Sequence, residues 1–146
     1  TDYHGFKKSI QPLLKDHHKK ALILGTGGAS KAIAYALRKL KIEYDFVSRT
    51  ADEFQYKYEE LDAAIFEEYT IIINTTPVGT HPNVDDCPNL DYSLFTKKHI
   101  AYDLVYNPEE TMLMRESRLR GAVVSNGLQM LRNQADLALQ IWGLKS

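Results

Sequence analysis

A chain of 146 residues is long enough for one domain with a sizeable core and too short for two comfortable ones. Hydrophobic residues at 44% and charged residues at 25% are ordinary for a soluble globular protein, and a formal net charge of −1 gives no reason to expect nucleic acid or a membrane as partner. The longest apolar run, Tyr69 to Ile73, is strand-sized rather than membrane-spanning. Thr1-Asp2-Tyr3-His4-Gly5 is not a signal peptide and lacks an initiator methionine, so it reads as a cut inside a longer protein. One cysteine, Cys87, allows no internal disulfide and fits a reducing, cytoplasmic setting.

In chain order, Phe6 to Leu14 is helical in pattern but carries Pro12, which should kink or split it. Lys20 to Leu24 reads as a buried strand ending in Gly25. Ala29 to Leu40 follows as a helix, its apolar residues Ala29, Ile33, Ala36, Leu37 and Leu40 on one face. Tyr44 to Val47 is a second strand and Leu61 to Phe66 a short helix. Tyr69 to Ile73 is a third, β-branched strand. Ile100 to Val105 is a fourth strand, Glu110 to Leu119 a helix, Ala122 to Val124 a fifth strand, and Leu128 to Trp142 the last helix.

Apolar strands alternating with helices imply a doubly wound, mostly parallel sheet in a three-layer α/β/α, Rossmann-like fold. Between Val47 and Leu61 there is little room for another crossover helix plus strand. A reduced sheet edge is expected there, with any strand near Phe54 to Tyr58 a short edge piece.

Gly25-Thr26-Gly27-Gly28-Ala29-Ser30 sits between a strand and a helix. Gly25 permits a tight turn, Gly27 a close approach of backbone to pyrophosphate, Gly28 adds room, and Ser30 allows close helix–strand packing. The helix N-terminus would receive the phosphates of a dinucleotide. A glycine turn serving only packing is the alternative. Every expected strand also ends in small or polar residues, on the edge where such sheets bind ligands. After the second strand, Ser48-Arg49-Thr50 suits a 2′-phosphate and favours NADP over NAD. Asp45, at the distance of an NAD-type acid, is discounted because it falls inside the strand, whereas Glu53 would repel a 2′-phosphate.

With that loop, Ser48-Arg49-Thr50, Asn74-Thr75-Thr76-Pro77-Val78-Gly79, Asp103-Leu104-Val105-Tyr106-Asn107-Pro108, and Asn126-Gly127-Leu128-Gln129-Met130-Leu131 through Gln134-Ala135, the chain resembles shikimate dehydrogenases over essentially its whole length. The resemblance implies reversible hydride transfer between NADPH and 3-dehydroshikimate, giving shikimate. Residues 1–146 would form the NADP-binding domain, 1–18 the leading helix from the interdomain connection and 127–142 the closing helix. The N-terminal substrate domain, with its catalytic lysine, would be absent and the fragment inactive.

Asp2 is similar to the family's catalytic and substrate-binding aspartate, though Tyr3 stands where glycine is usual. The resemblance places Gly27, Gly28 and Ala29 at the diphosphate, Ser48, Arg49 and Thr50 at the adenosine phosphate, and Thr75, Thr76 and Pro77 along the cofactor. Val105, Gly127 and Met130 would lie near the nicotinamide, and Tyr106 and Gln134 would reach the substrate. The shortened stretch after Thr50 removes structure that usually walls the adenosine.

Blander roles stand beside these. Asp2 could cap a helix starting near Tyr3, Gln134 could face solvent, and Tyr106 could be a packing aromatic. Met112, Met114 and Met130 suit the core. His17-His18 reads as a solvated turn rather than a metal or anion site, Cys87 lacks a nearby base, and no metal site is read. Apolar surface on the last helix and near Asp2 leaves room for self-association. Two other readings stand open: an NAD-dependent quinate/shikimate dehydrogenase domain, and a non-catalytic nucleotide-sensing module.

Overall fold

The computed structural model describes residues 2–50, 55–128, 130–132, 135 and 143, with Asp2 by its backbone alone. Helix α1, Asp2–Ile10, opens the chain and gives way to a 3-10 turn, Gln11–Leu13, with Pro12 in its first turn. The proline therefore splits the helical segment, as a ring without an N–H requires.

Six strands follow: β1 (Lys20–Leu24), β2 (Glu43–Ser48), β3 (Tyr56–Lys57), β4 (Ile71–Asn74), β5 (Ile100–Asp103) and β6 (Val123–Asn126). Helices α2 (Gly28–Lys39), α3 (Ala63–Glu68) and α4 (Met112–Leu119) lie between them. All pairings are parallel, in the order β3-β2-β1-β4-β5-β6. The order reverses between β1 and β4, the switch point where such sheets open a crevice.

Strand alternation builds a core on each face. Ala21, Ile23, Ile71, Ile73, Ile100 and Tyr102 pack with Phe6 and Ile10 of α1 and Ile33 and Leu37 of α2. Leu22, Leu24, Ile72 and Ala101 face the other way, onto Phe66 of α3, Phe95 and Leu113 of α4. Strands covered on both faces favour apolar residues throughout, and β4, buried along its length, is isoleucine from 71 to 73 before ending in a hydrogen-bonded Asn74.

The expected sheet edge is as reduced as the short stretch allowed. β3 has two residues, paired Val47 to Tyr56 and Ser48 to Lys57. Boundaries shift elsewhere for local reasons. Asp62 caps α3 by accepting the Ile65 N–H at 3.0 Å, so this helix spans Ala63–Glu68 rather than Leu61 to Phe66. Tyr69 is its C-cap, and β4 begins only at Ile71. Thr111 caps α4 by accepting the Met114 N–H, so this helix begins at Met112 rather than Glu110. The expected helix Leu128 to Trp142 falls largely outside the described residues, of which 127, 128, 130–132 and 135 are helical.

His18 corrects the reading of a solvated turn. It is buried, its Nδ1 accepting from Lys15 N–H at 2.8 Å and its Nε2 donating to the Lys98 carbonyl at 2.9 Å. Desolvation holds its pKa below the usual histidine value. Among the described residues no acid–histidine–cysteine group could hold a metal.

Candidate functional site

Strand register puts Leu24, Val47, Asn74, Asp103 and Asn126 in one row at the C-terminal edge of the sheet. The loops leaving this row form two adjoining concavities, one on each side of the glycine turn.

The larger is a groove of about 750 Å³. Its floor is Gly25, Thr26 and Gly27, its flanks Ser48 at the end of β2, Arg49 just after it, and Thr75 to Val78 after β4. Gly25 has φ +112°, and its N–H donates to the Val47 carbonyl at 2.9 Å. Thr75 donates both its N–H, at 2.9 Å, and its hydroxyl, at 2.6 Å, to the Leu24 carbonyl. These bonds lock the turn to three strand ends.

Beyond it, α2 starts at Gly28 with Gly27 as its N-cap and no capping side chain. Its first amides are left available, and the dipole adds positive potential there. A Cβ on Gly27 or Gly28 would meet nothing within 4 Å, so both glycines face open space. Ser30 is fully buried with its hydroxyl on the Gly27 carbonyl, and packs α2 against the sheet. A cradle that is exposed, uncapped and free of Cβ atoms fits a dinucleotide's pyrophosphate in shape and charge.

The smaller concavity, about 230 Å³, is mainly apolar. Ala29, Ala32 and Ile33 of α2 face Leu104, Tyr106, Gly127, Met130 and Leu131 across it. Tyr106 is 49% exposed and Leu131 43%, so this wall opens to the surface. Gly127 allows a very close backbone approach: a Cβ there would lie 2.0 Å from the Leu104 carbonyl oxygen.

Asn74 and Asp103, both fully buried, hold the two loops in place. Asn74 Nδ2 donates to Asp103 Oδ1 at 3.0 Å, while its oxygen accepts from Thr76 N–H and hydroxyl. Asp103 also accepts from Val105 N–H at 3.0 Å and from the Thr111 hydroxyl at 2.8 Å. The turn made by that Val105 bond ends β5 at Asp103, two residues before the expected Val105.

Burial pushes the Asp103 carboxyl up to about 6, with its three hydrogen bonds opposing the shift. A raised carboxyl binds its proton more tightly in the folded state, so this group costs stability at neutral pH. The cost fades as pH falls through 6 toward the unfolded value of 3.8. Asp103→Asn should therefore gain stability relative to the parent, by about 2 kcal/mol more at pH 7 than at pH 4. Urea unfolding at both pH values checks this; a difference that does not change with pH would refute it.

Most residues expected at the site gather on this edge. Gly25, Thr26, Gly27, Ser48, Arg49, Thr75, Thr76 and Pro77 line the groove, and Ala29, Tyr106, Gly127 and Met130 line the apolar cavity. Thr50 is exposed, its N–H on Ser48 Oγ. Val105 is buried behind the Asp103 turn rather than on either wall. Asp45 sits inside β2 and accepts from the Tyr69 hydroxyl, which gives it a structural partner. Glu53 and Gln134 lie outside the described residues, as does the Asp2 side chain.

Sequence reasoning missed Tyr58, Glu59, Cys87, Pro88 and Asn89, which complete the groove. It also missed the Asn74–Asp103 pair, joined across 29 residues by register alone. Tyr58 and Glu59 reach the groove from the 3-10 turn Tyr58–Glu60 directly after β3.

A 3-2-1-4-5-6 parallel sheet with a glycine turn after its first strand defines a Rossmann-like α/β protein. No family model matches the chain. It is 38% identical to the shikimate dehydrogenase (NADP(+)) of Caldanaerobacter subterraneus subsp. tengcongensis, covering 97% of this chain and 56% of that one. The structure superposes with a TM-score of 0.78 on shikimate 5-dehydrogenase from Thermus thermophilus, solved with NADP(H) and shikimate. That match is 33% identical and covers 97% of this chain and 55% of the other. Shikimate 5-dehydrogenase from Listeria monocytogenes, solved with shikimate and NAD, gives 0.80 at 26% identity, covering 99% and 58%. Over 97% of its length the chain is similar to shikimate dehydrogenases, matching the C-terminal, cofactor-binding part of those enzymes. It spans about half the length of the curated relatives it matches. Among the described residues no helix is long and apolar enough to cross a membrane.

Proposed function

We propose that residues 1–146 are the NADP(H)-binding domain of an enzyme interconverting 3-dehydroshikimate and shikimate, and that a further, substrate-binding domain completes its site. The observation that carries this is the open, uncapped glycine cradle sharing one groove with Arg49. Homology to NADP(+)-named shikimate dehydrogenases supports the same reading.

In this reading the amides of Gly27, Gly28 and Ala29 hold the diphosphate, on a turn fixed by the Gly25 bond to Val47. Arg49, with Ser48 and Thr50, binds the adenosine 2′-phosphate, and Thr75, Thr76 and Pro77 wall the groove. When bound, the nicotinamide supplies the hydride. Gly127 and Met130 present it an apolar, water-poor wall, with Val105 behind. Tyr106, at the open mouth of that wall, contacts the substrate, as does Gln134. Asp2 orients a lysine whose ammonium stabilises the forming alkoxide and hands it a proton. A cytoplasmic setting agrees with the free thiol Cys87.

Removing the guanidinium tests the assignment. Arg49→Ala should weaken NADP binding about 10- to 100-fold, the worth of one or two charge-assisted hydrogen bonds, and change NAD binding by less than about threefold. Calorimetric titration with each coenzyme reads the two constants. Equal losses for both, or none, would refute a 2′-phosphate contact at Arg49. The NAD-bound Listeria relative keeps an NAD-using variant as the second reading, and the same titrations decide between them.

A further inference from the structure

The groove carries two opposite charges that do not neutralise each other. Arg49 and Glu59 both line it, and among the described residues neither side chain has a hydrogen bond or ion pair. The neighbouring carboxylates have structural work: Glu60 accepts from Lys57 N–H at 2.7 Å and Asp62 caps α3. Glu59 has none, and it is exposed toward the groove it lines. Beside it, half-buried Tyr58 is fixed against the core and near enough to Arg49 for the guanidinium to oppose the rise of its hydroxyl pKa. Arg49, Tyr58 and Glu59 thus stand together at the β2–β3 side of the sheet, the side that receives the adenosine half of a dinucleotide.

We infer that Glu59 is a coenzyme-discriminating residue that opposes Arg49, repelling a 2′-phosphate and accepting the 2′-hydroxyl of an unphosphorylated ribose. This rests on the cofactor reading above and adds to it a counterweight: the site takes NADP through Arg49 but holds a narrowed preference over NAD. A surface glutamate with no ligand to face is the plain alternative, and it predicts no effect on either coenzyme. The short connection between β2 and β3 is what brings Glu59 here, because the 3-10 turn follows the two-residue edge strand at once.

Glu59→Gln removes the charge at an exposed position and keeps the shape. NADP should bind about five- to tenfold tighter, as expected for relieving one nearby like charge in a water-filled groove. The gain should shrink in about 0.5 M salt through screening. NAD binding should stay constant or weaken, and Glu59→Asp should keep the parental ratio within about threefold. An NADP-to-NAD ratio unchanged in Glu59→Gln, or a gain indifferent to salt, overturns this inference alone. Failure of the parent chain to bind either coenzyme overturns the cofactor reading, and this inference with it.

Discussion

Gly127→Ala should destabilise the protein by ~3 kcal/mol or more and disorder the apolar cavity. The glycine is buried where the chain turns from β6 into the following helix. An added Cβ would sit 2.0 Å from the Leu104 carbonyl oxygen, 2.9 Å from its carbon and 3.3 Å from its Cα. All three are backbone atoms, so no side chain can rotate away. The Leu104 segment is itself fixed, its N–H on the Asn74 carbonyl and the next N–H on Asp103. Relief must come from moving the helix, and with it Met130 and Leu131 on the cavity wall. Urea unfolding would show the loss as a lowered midpoint; parental stability would mean that this close approach is absent.

Gly25 and Gly27 should separate stability from binding. Gly25→Ala places a side chain at φ +112° with its Cβ 2.6 Å from Thr75 Oγ1 and 3.1 Å from Thr76 Cγ2. The threonine cannot yield freely, since its hydroxyl is committed to the Leu24 carbonyl. We expect a loss of ~3 kcal/mol from strain and overlap together, with coenzyme binding weakened at least about tenfold. Gly27 has φ −81°, which any residue adopts, and open space where a Cβ would go. Gly27→Ala should leave stability within about 0.5 kcal/mol of the parent yet weaken NADP at least about tenfold, by standing where the diphosphate must approach. Thermal unfolding and calorimetry on both variants check the contrast. Full NADP affinity in Gly27→Ala would move the phosphates elsewhere.

The order of elements was legible because strand and helix periods differ and because both faces of this sheet are covered. Apolar runs such as Lys20 to Leu24 and Ile71 to Ile73 have no other stable placement. The glycine turn was legible for a similar reason: one residue, Gly25, has a conformation that side chains resist. Ends of elements were harder to read, since they are set by single capping side chains. Asp62 and Thr111 each displaced a helix start by two residues, and the Asp103 carboxylate stopped β5 early. His18 was misread because burial came from a carbonyl 80 residues away, at Lys98. The groove's far wall stayed hidden for the same kind of reason. Tyr58, Glu59 and Cys87 to Asn89 reach it from two loops without a shared motif.

The central claim is that the amides between β1 and α2 receive a dinucleotide's phosphates. Titrating the isotopically labelled chain with NADP while following its backbone amides tests that claim most directly. The account predicts saturating shifts below about 1 mM, largest at Gly25 to Ser30 and at Arg49, with smaller ones at Thr75 and Thr76. Unmoved amides along the glycine turn at that concentration of NADP or NAD, or shifts centred on the opposite sheet edge near His99, would contradict it.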